Sequence, residues 1–115
     1  MYSKPTFIQG VREFTGKGLI EPESFSEVLE YIVPSGRRAQ LIYFRAGNSS
    51  AEMICVVLLR DGKPMRYFPI GARSSVHIAL AVVEDMMADT RLEVVIAAPA
   101  GVSGSLIVDI GLMEI

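Results

Sequence analysis

The sequence predicts an all-β domain, an antiparallel β-sandwich of seven or eight strands with a jelly-roll-like arrangement. Between residues 37 and 80, four apolar runs are separated by the turn sequences GNSS, DGKP and GARSS. Turn sequences recur at roughly ten-residue intervals along the chain, a spacing typical of sandwiches. Asp61-Gly62, between two of the apolar runs, is a strong hairpin signal.

Eight segments have the composition or the alternation of strands. They are residues 6–14, 25–33, 40–45, 52–59, 65–70, 75–80, 91–96 and 105–115. Residues 1–24 are expected to be an irregular N-terminal strand and loop within a single domain, 1–115. Segment 25–33 ends at a Pro-Ser-Gly turn, although Ser24, followed three residues later by Glu27, allows a capped helical turn instead. Segment 52–59 has apolar side chains on both faces, which predicts a strand covered on both sides.

Residues 81–89 are compatible with a helix or a loop. In a helix, Ile78, Val82 and Met86 would lie along one stripe. Against a helix, Val82 and Val83 are β-branched, and acidic residues crowd the end where the helix dipole is negative. We therefore expect the end of a strand followed by an acidic loop. The alternative is a helix over 75–89 packed on a five-stranded sheet, which would make an α+β regulatory domain.

Composition limits the classes of partner. The 115 residues fit one domain, and the net charge of −2 provides no basic surface for nucleic acid or an anionic membrane. Cys55 is the single cysteine, so no disulfide can form within the chain. The first residues lack the apolar core of a signal peptide, and no run is long enough to span a bilayer. We expect a cytoplasmic protein.

The hydrophobic content is high for a chain of this size. Half of the residues are hydrophobic, and the mean hydropathy is +0.38. A small domain has little interior in which to bury so much apolar surface. The composition therefore predicts a partner surface, and the simplest partner is a second copy that packs against an apolar sheet face.

Three stretches carry a resemblance to a known class of domain. They are LIYFRAGN at residues 41–48, the strand that leads into Asp61-Gly62-Lys63, and LIVDIGLMEI at residues 106–115. On these residues, the region 25–115 resembles the galactose-binding-like jelly rolls found in carbohydrate-binding modules. The resemblance implies a β-sandwich that binds a ligand, often a sugar, on a concave sheet face or loop rim. The chain has no tryptophan, so any aromatic platform would consist of Tyr31, Tyr43, Tyr67 or the phenylalanines.

The candidate site residues come from a basic and aromatic group in the middle of the chain. Arginine side chains bind carboxylates and phosphates in pairs of hydrogen bonds and stack on aromatic rings. If several converge on one face, they form a site for an anionic small molecule, an acidic peptide or a carbohydrate-like ligand. Strand alternation can equally scatter them into surface ion pairs, and we favour scattering. The residues selected for ligand binding are Arg45, Arg66, Tyr67, Arg73 and His77.

No catalytic, metal or cofactor motif is present. His77 is the only histidine, and the chain contains no nucleophile-elbow motif. One histidine and one cysteine cannot make a zinc site. Glu84, Asp85 and Asp89 lack EF-hand spacing, but calcium binding by these clustered carboxylates is kept as an alternative. We therefore expect a non-enzymatic binding or assembly module without a cofactor. The alternative is a small enzyme in which His77 acts as a general base near Arg73.

Overall fold

The computed structural model describes residues 3–115 and arranges them as two antiparallel β-sheets packed face to face. The strands, numbered in chain order, are β1 (Lys4–Thr15), β2 (Glu23–Ile32), β3 (Ala39–Asn48), β4 (Ile54–Arg60), β5 (Lys63–Ile70), β6 (Ser75–Ala79), β7 (Asp85–Met86), β8 (Arg91–Ala97) and β9 (Ser103–Glu114). The predicted all-β sandwich is confirmed. Residues 3–115 form no helix, and so contain none that could cross a membrane. The first two residues of the predicted domain lie outside the described range.

The strands divide into a five-stranded and a four-stranded sheet. The five-stranded sheet has the order β1-β9-β3-β6, and β7 pairs with Ala39 and Gln40 of β3. The four-stranded sheet has the order β2-β8-β4-β5. The β4–β5 hairpin predicted from Asp61-Gly62 is confirmed, and both residues have positive φ, 51° and 82°, as the favoured two-residue hairpin turn requires.

Alternating apolar side chains fill the space between the sheets. On β9, Leu106, Val108 and Ile110 face inward and are buried, as alternation along a strand requires. The Phe44 ring of one sheet stacks on the Phe68 ring of the other, with centroids 3.9 Å apart and planes 4° from parallel. This stacking joins the two sheets at the centre of the core.

The N-terminal strand is longer and more regular than the sequence suggests. β1 pairs with β9 over all twelve of its residues, from Lys4 opposite Glu114 to Thr15 opposite Ser103. The irregular part of the N-terminal region begins at residue 16. The helical turn considered near Ser24 is not formed, because these residues belong to β2, which contains a bulge between Ser24 and Leu29.

The alternative with a helix over 75–89 is wrong. These residues form β6, a bend and the two-residue strand β7. Met86 is fully buried in the sandwich core. Glu84 pairs with Arg60 and Arg66 at 3.7 and 3.5 Å, and Asp85 accepts a hydrogen bond from Gln40 at 2.6 Å. The acidic side chains of this extended segment thus contact polar groups on three other strands. Local helix signals in the sequence do not predict these long-range contacts.

The strand β4 is buried on its inner face and largely covered on its other face within a single chain. It lies between β8 and β5, and Val56 and Leu58 point into the core. On the opposite face, Val57 is only 1% exposed because it lies between Tyr67 and Val95 of the neighbouring strands. The apolar character of both faces of this strand therefore needs no second copy to explain it.

One hydrogen bond links the sheets near the chain terminus. The Tyr31 hydroxyl on β2 donates to the Glu114 carboxylate on β9 at 2.5 Å, and Glu114 is 6% exposed. Burial raises the pKa of Tyr31 above its ordinary value, and the bond to Glu114 and that residue's negative charge raise it further. The folded protein therefore holds the Tyr31 proton more tightly than the unfolded chain does.

This difference predicts a loss of stability in alkaline solution. The contribution of Tyr31 is complete below the ordinary tyrosine pKa of about 10 and declines as the pH rises above it, because the unfolded chain then releases the proton first. Urea unfolding from pH 7 to pH 11 should show the free energy of unfolding falling more steeply in the wild type than in Tyr31→Phe. Parallel curves for the two proteins would contradict this role of the hydroxyl.

Candidate functional site

The outward-pointing side chains of the five-stranded sheet form a surface that we call the outer face. Strand register places Gln9 of β1 opposite Asp109 of β9, Asp109 opposite Arg45 of β3, and Arg45 opposite His77 of β6. These four residues, the polar row, cross the four long strands of the sheet. Because successive side chains of a strand point to opposite faces, the row lies on the side away from the core.

Asp109 is the centre of this row. Its carboxylate accepts a hydrogen bond from the Gln9 amide at 3.1 Å and lies 3.2 Å from the Tyr43 hydroxyl through each of its oxygens. The Arg45 guanidinium lies 3.6 Å away and forms an ion pair with it. The partly buried carboxylate is thus held by residues from β1 and β3, on both sides of β9, and its orientation is fixed.

Tyr43 occupies its position because β9 has a glycine beneath it. A Cβ atom added to Gly111 would lie 2.0 Å from Cε2 of the Tyr43 ring, so no larger residue fits under the ring. The Tyr43 and His77 rings meet in a T-shaped arrangement, with centroids 5.9 Å apart and planes at 76°. Burial raises the pKa of Tyr43, and the charge of Asp109 raises it further, which keeps its hydroxyl available as a donor.

Apolar side chains border the polar row. Val11 of β1 and Ile107 of β9 lie opposite each other, at the next outward position of each strand on one side of the polar row. Phe7 lies at the next outward position of β1 on the opposite side of the row. These three side chains are 61%, 59% and 51% exposed, respectively. The outer face thus offers hydrogen-bonding groups next to exposed apolar surface.

A shallow depression of about 510 Å³ lies over one end of the row, and Arg45, His77, Asp109, Gly47 and Ile107 line it. Its volume falls within the usual range for small-molecule sites, about 300–1,000 Å³. The carboxylate can accept hydrogen bonds, and the guanidinium and imidazole can donate them. Such a mixture suits a ligand that has hydroxyl groups and an apolar ring face.

Three of the five residues selected from the sequence lie at or beside this depression. Arg45 and His77 line it, and Arg73 lines an adjoining depression that shares Gly47 and Ile107 with it. Arg66 and Tyr67 belong to β5 in the other sheet. The Arg66 guanidinium donates to the Val82 carbonyl at 2.9 Å in addition to its Glu84 ion pair, whereas Tyr67 is 63% exposed. The five residues therefore do not form one site.

Sequence reasoning did not select Asp109 or Gln9 as site residues, and it named Tyr43 only as part of a possible aromatic platform. Asp109 does leave a signal, because it is a charged residue within the largely apolar run at residues 106–115. Gln9 leaves none, since its pairing with Asp109 joins residues 100 positions apart. Only the register of β1 against β9 brings these two side chains together.

Other charged residues form ion pairs away from the polar row. Arg91 pairs with Glu30 and, at 3.1 Å, with Glu93, and Arg38 pairs with Asp85 at 3.4 Å. Within the described part of the chain, no group of three or more histidine, cysteine or acidic residues is arranged to hold a metal ion. Glu84 and Asp85 are each engaged with arginines instead.

Comparison with known proteins identifies the class of fold. No protein-family model matches the chain, and no curated protein sequence is similar to it. A CBM36-1 domain of a multidomain xylanase, from the hindgut metagenome of Trinervitermes trinervoides, superposes with a TM-score of 0.59 at 14% identity, covering 96% of each chain. The fold is therefore that of a carbohydrate-binding-module β-sandwich, which confirms the resemblance predicted from the sequence at the level of fold alone.

Two weaker structural matches were also found. The insecticidal delta-endotoxin Cry8Ea1 of Bacillus thuringiensis has a TM-score of 0.47 at 10% identity, and the match covers 96% of this chain and 19% of the toxin. PirA has a TM-score of 0.37 at 15% identity, and the match covers 100% of this chain and 94% of that protein.

The contact between Tyr43 and Gly111 makes a specific prediction. Gly111→Ala should destabilise the protein by about 1–3 kcal/mol, as overpacking does, because the new methyl group displaces the Tyr43 ring. In a Tyr43→Ala background the same substitution should cost much less, since the ring is absent. Urea unfolding of the four proteins in this cycle measures the coupling between the two residues. An equal cost in both backgrounds would show that the ring does not depend on the glycine.

Proposed function

We propose that the chain is a non-enzymatic binding module that binds a neutral, polyhydroxylated, carbohydrate-like ligand over the polar row of the outer face. One observation supports this most strongly. Asp109 and Arg45 are held in place on a rigid sheet, next to the exposed apolar side chains of Val11 and Ile107. A site with few, convergent polar groups beside apolar surface is the usual form of a small-molecule site.

The charge pattern favours a neutral ligand over an anionic one. Arg45 already faces Asp109 at 3.6 Å, so an anion there would meet a carboxylate together with the guanidinium. Sugar hydroxyls both donate and accept hydrogen bonds, which lets one ligand satisfy the carboxylate and the guanidinium at once. The C–H faces of a sugar ring would cover Ile107 and remove apolar surface from water.

The fold supports the same class of ligand. One structural neighbour is a carbohydrate-binding module of a xylanase, and fold similarity raises the prior for a function without establishing it. The alternative of a small enzyme has less support. His77 meets Tyr43 in a T-shaped arrangement, and burial raises the pKa of the Cys55 thiol, so the cysteine is not an activated nucleophile.

Binding of soluble xylan and cellulose oligosaccharides tests the proposal by isothermal titration calorimetry. Arg45→Ala and Asp109→Asn should each weaken the affinity for the bound sugar by roughly tenfold or more, the expected loss for a hydrogen bond to a charged group. Tyr67→Ala is the matched control, because Tyr67 is an exposed side chain on the opposite sheet and its loss should leave the affinity unchanged.

The results distinguish a wrong location of the site from a wrong class of ligand. If Tyr67→Ala abolishes binding and Arg45→Ala does not, the ligand lies on the four-stranded sheet. If neither series of oligosaccharides binds the wild type at millimolar concentration, the chain does not bind this class of carbohydrate.

Self-association is a second proposal, supported by the apolar side chains of Phe7, Val11 and Ile107, each more than half exposed on one face. Exposed apolar side chains on both sides of the polar row would be covered by a second copy packed on this face. Sedimentation velocity at micromolar concentration should give a mass above that of the 12.6 kDa chain, and Phe7→Asp should reduce it to the monomer. A monomeric wild type would contradict the proposal.

A further inference from the structure

The depression over the polar row continues along the outer face. Through Gly47, Ser75 and Ile107 it adjoins a second depression of about 300 Å³, which Arg73 also lines. Through Ser105 the second adjoins a third, of about 500 Å³. The three depressions therefore follow one another along the outer face, and we call them together the groove.

This groove follows the direction of β9. Asp109, Ile107, Ser105 and Ser103 are successive outward positions of that strand, and they line the groove from one end to the other. At about 3.4 Å per residue, the six residue-to-residue steps from Asp109 to Ser103 cover about 20 Å. A single sugar ring is much shorter than this distance.

Each of the three depressions contains hydrogen-bonding groups. In the middle, the Ser49 hydroxyl accepts a hydrogen bond from the Ser105 amide at 2.7 Å. At the far end, the Thr15 and Ser103 hydroxyls lie 2.9 Å apart. Hydroxyl groups both donate and accept, so each part of the groove can bind sugar hydroxyls. Gly47 has no side chain and Ser75 has a small one. The floor of the groove is therefore low there, and the backbone is accessible.

Arg73 stands beside the middle of the groove in a defined position. Its backbone amide donates to the Ser50 carbonyl at 2.9 Å, and its φ of 51° lies in the left-handed region, which is uncommon for a residue other than glycine. Within residues 3–115, the exposed side chain of Arg73 forms no ion pair. It therefore offers donors to a ligand that extends past the polar row.

We infer that the ligand is a linear oligosaccharide chain that lies along β9, with its units placed from the Asp109 end of the groove to the Ser103 end. This inference rests on the proposed function, and it adds the length and direction of the ligand. A monosaccharide would occupy only the first depression. A longer chain would also contact Arg73 and the hydroxyl groups beyond it.

Affinity as a function of ligand length tests the inference. Isothermal titration of the wild type with xylose, xylobiose and xylotetraose, and with the matching cellulose series, should show the tetrasaccharide binding at least about tenfold more tightly than the disaccharide. Ser105→Leu places an aliphatic side chain where the second and third depressions meet. It should reduce the advantage of the tetrasaccharide to about threefold or less, and leave the affinity for the disaccharide, which does not reach Ser105 from the polar row, unchanged.

Ser26→Leu is the matched control, because Ser26 is exposed on β2 in the other sheet and the same substitution there should change neither affinity. If all lengths bind equally, or if Ser105→Leu behaves like Ser26→Leu, the extended groove is wrong while the site at the polar row stands. If no oligosaccharide binds, the proposed function itself fails. Unfolding curves of both variants show whether each is folded before titration.

Discussion

The outer face depends on how one carboxylate is held. Asp109 points outward from the middle of β9 and is surrounded by donors from both neighbouring strands. A charged group in a partly buried position is stable only when it is paired or hydrogen-bonded. Gln9, Tyr43 and Arg45 meet this requirement, and in doing so their own side chains become ordered. A surface whose groups are ordered in advance loses less entropy when it binds a ligand.

The same strands build the core and the candidate site. Alternation directs Val108 and Ile110 of β9 inward, while Asp109 points outward between them. The stacked rings of Phe44 and Phe68 hold the two sheets together, so the outer face is supported by a packed core and by strands on both sides of β9. Groups carried on strands are positioned more precisely than groups carried on loops. The rigidity of the site is therefore a consequence of the sandwich itself.

Local signals were sufficient for much of the fold, and long-range pairing was not. Asp61-Gly62 marks its hairpin because the turn residues are adjacent in sequence. Arg66 and Arg45 look equivalent in the sequence, since both lie in strands rich in aromatic residues, yet they belong to different sheets. Gln9 meets Asp109 only through the pairing of β1 with β9. The two-residue strand β7 also escapes sequence patterns, because two residues are too few to show a period.

The central claim is that the ligand lies on the outer face of the five-stranded sheet. The most direct test is titration of ¹⁵N-labelled protein with xylohexaose, followed by two-dimensional amide spectra. The account predicts that the amide signals that move belong to β9, β3 and β6, including Arg45, His77 and Ile107, while those of β5 around Tyr67 stay fixed. Shifts confined to β5 and its neighbours in the four-stranded sheet would contradict it.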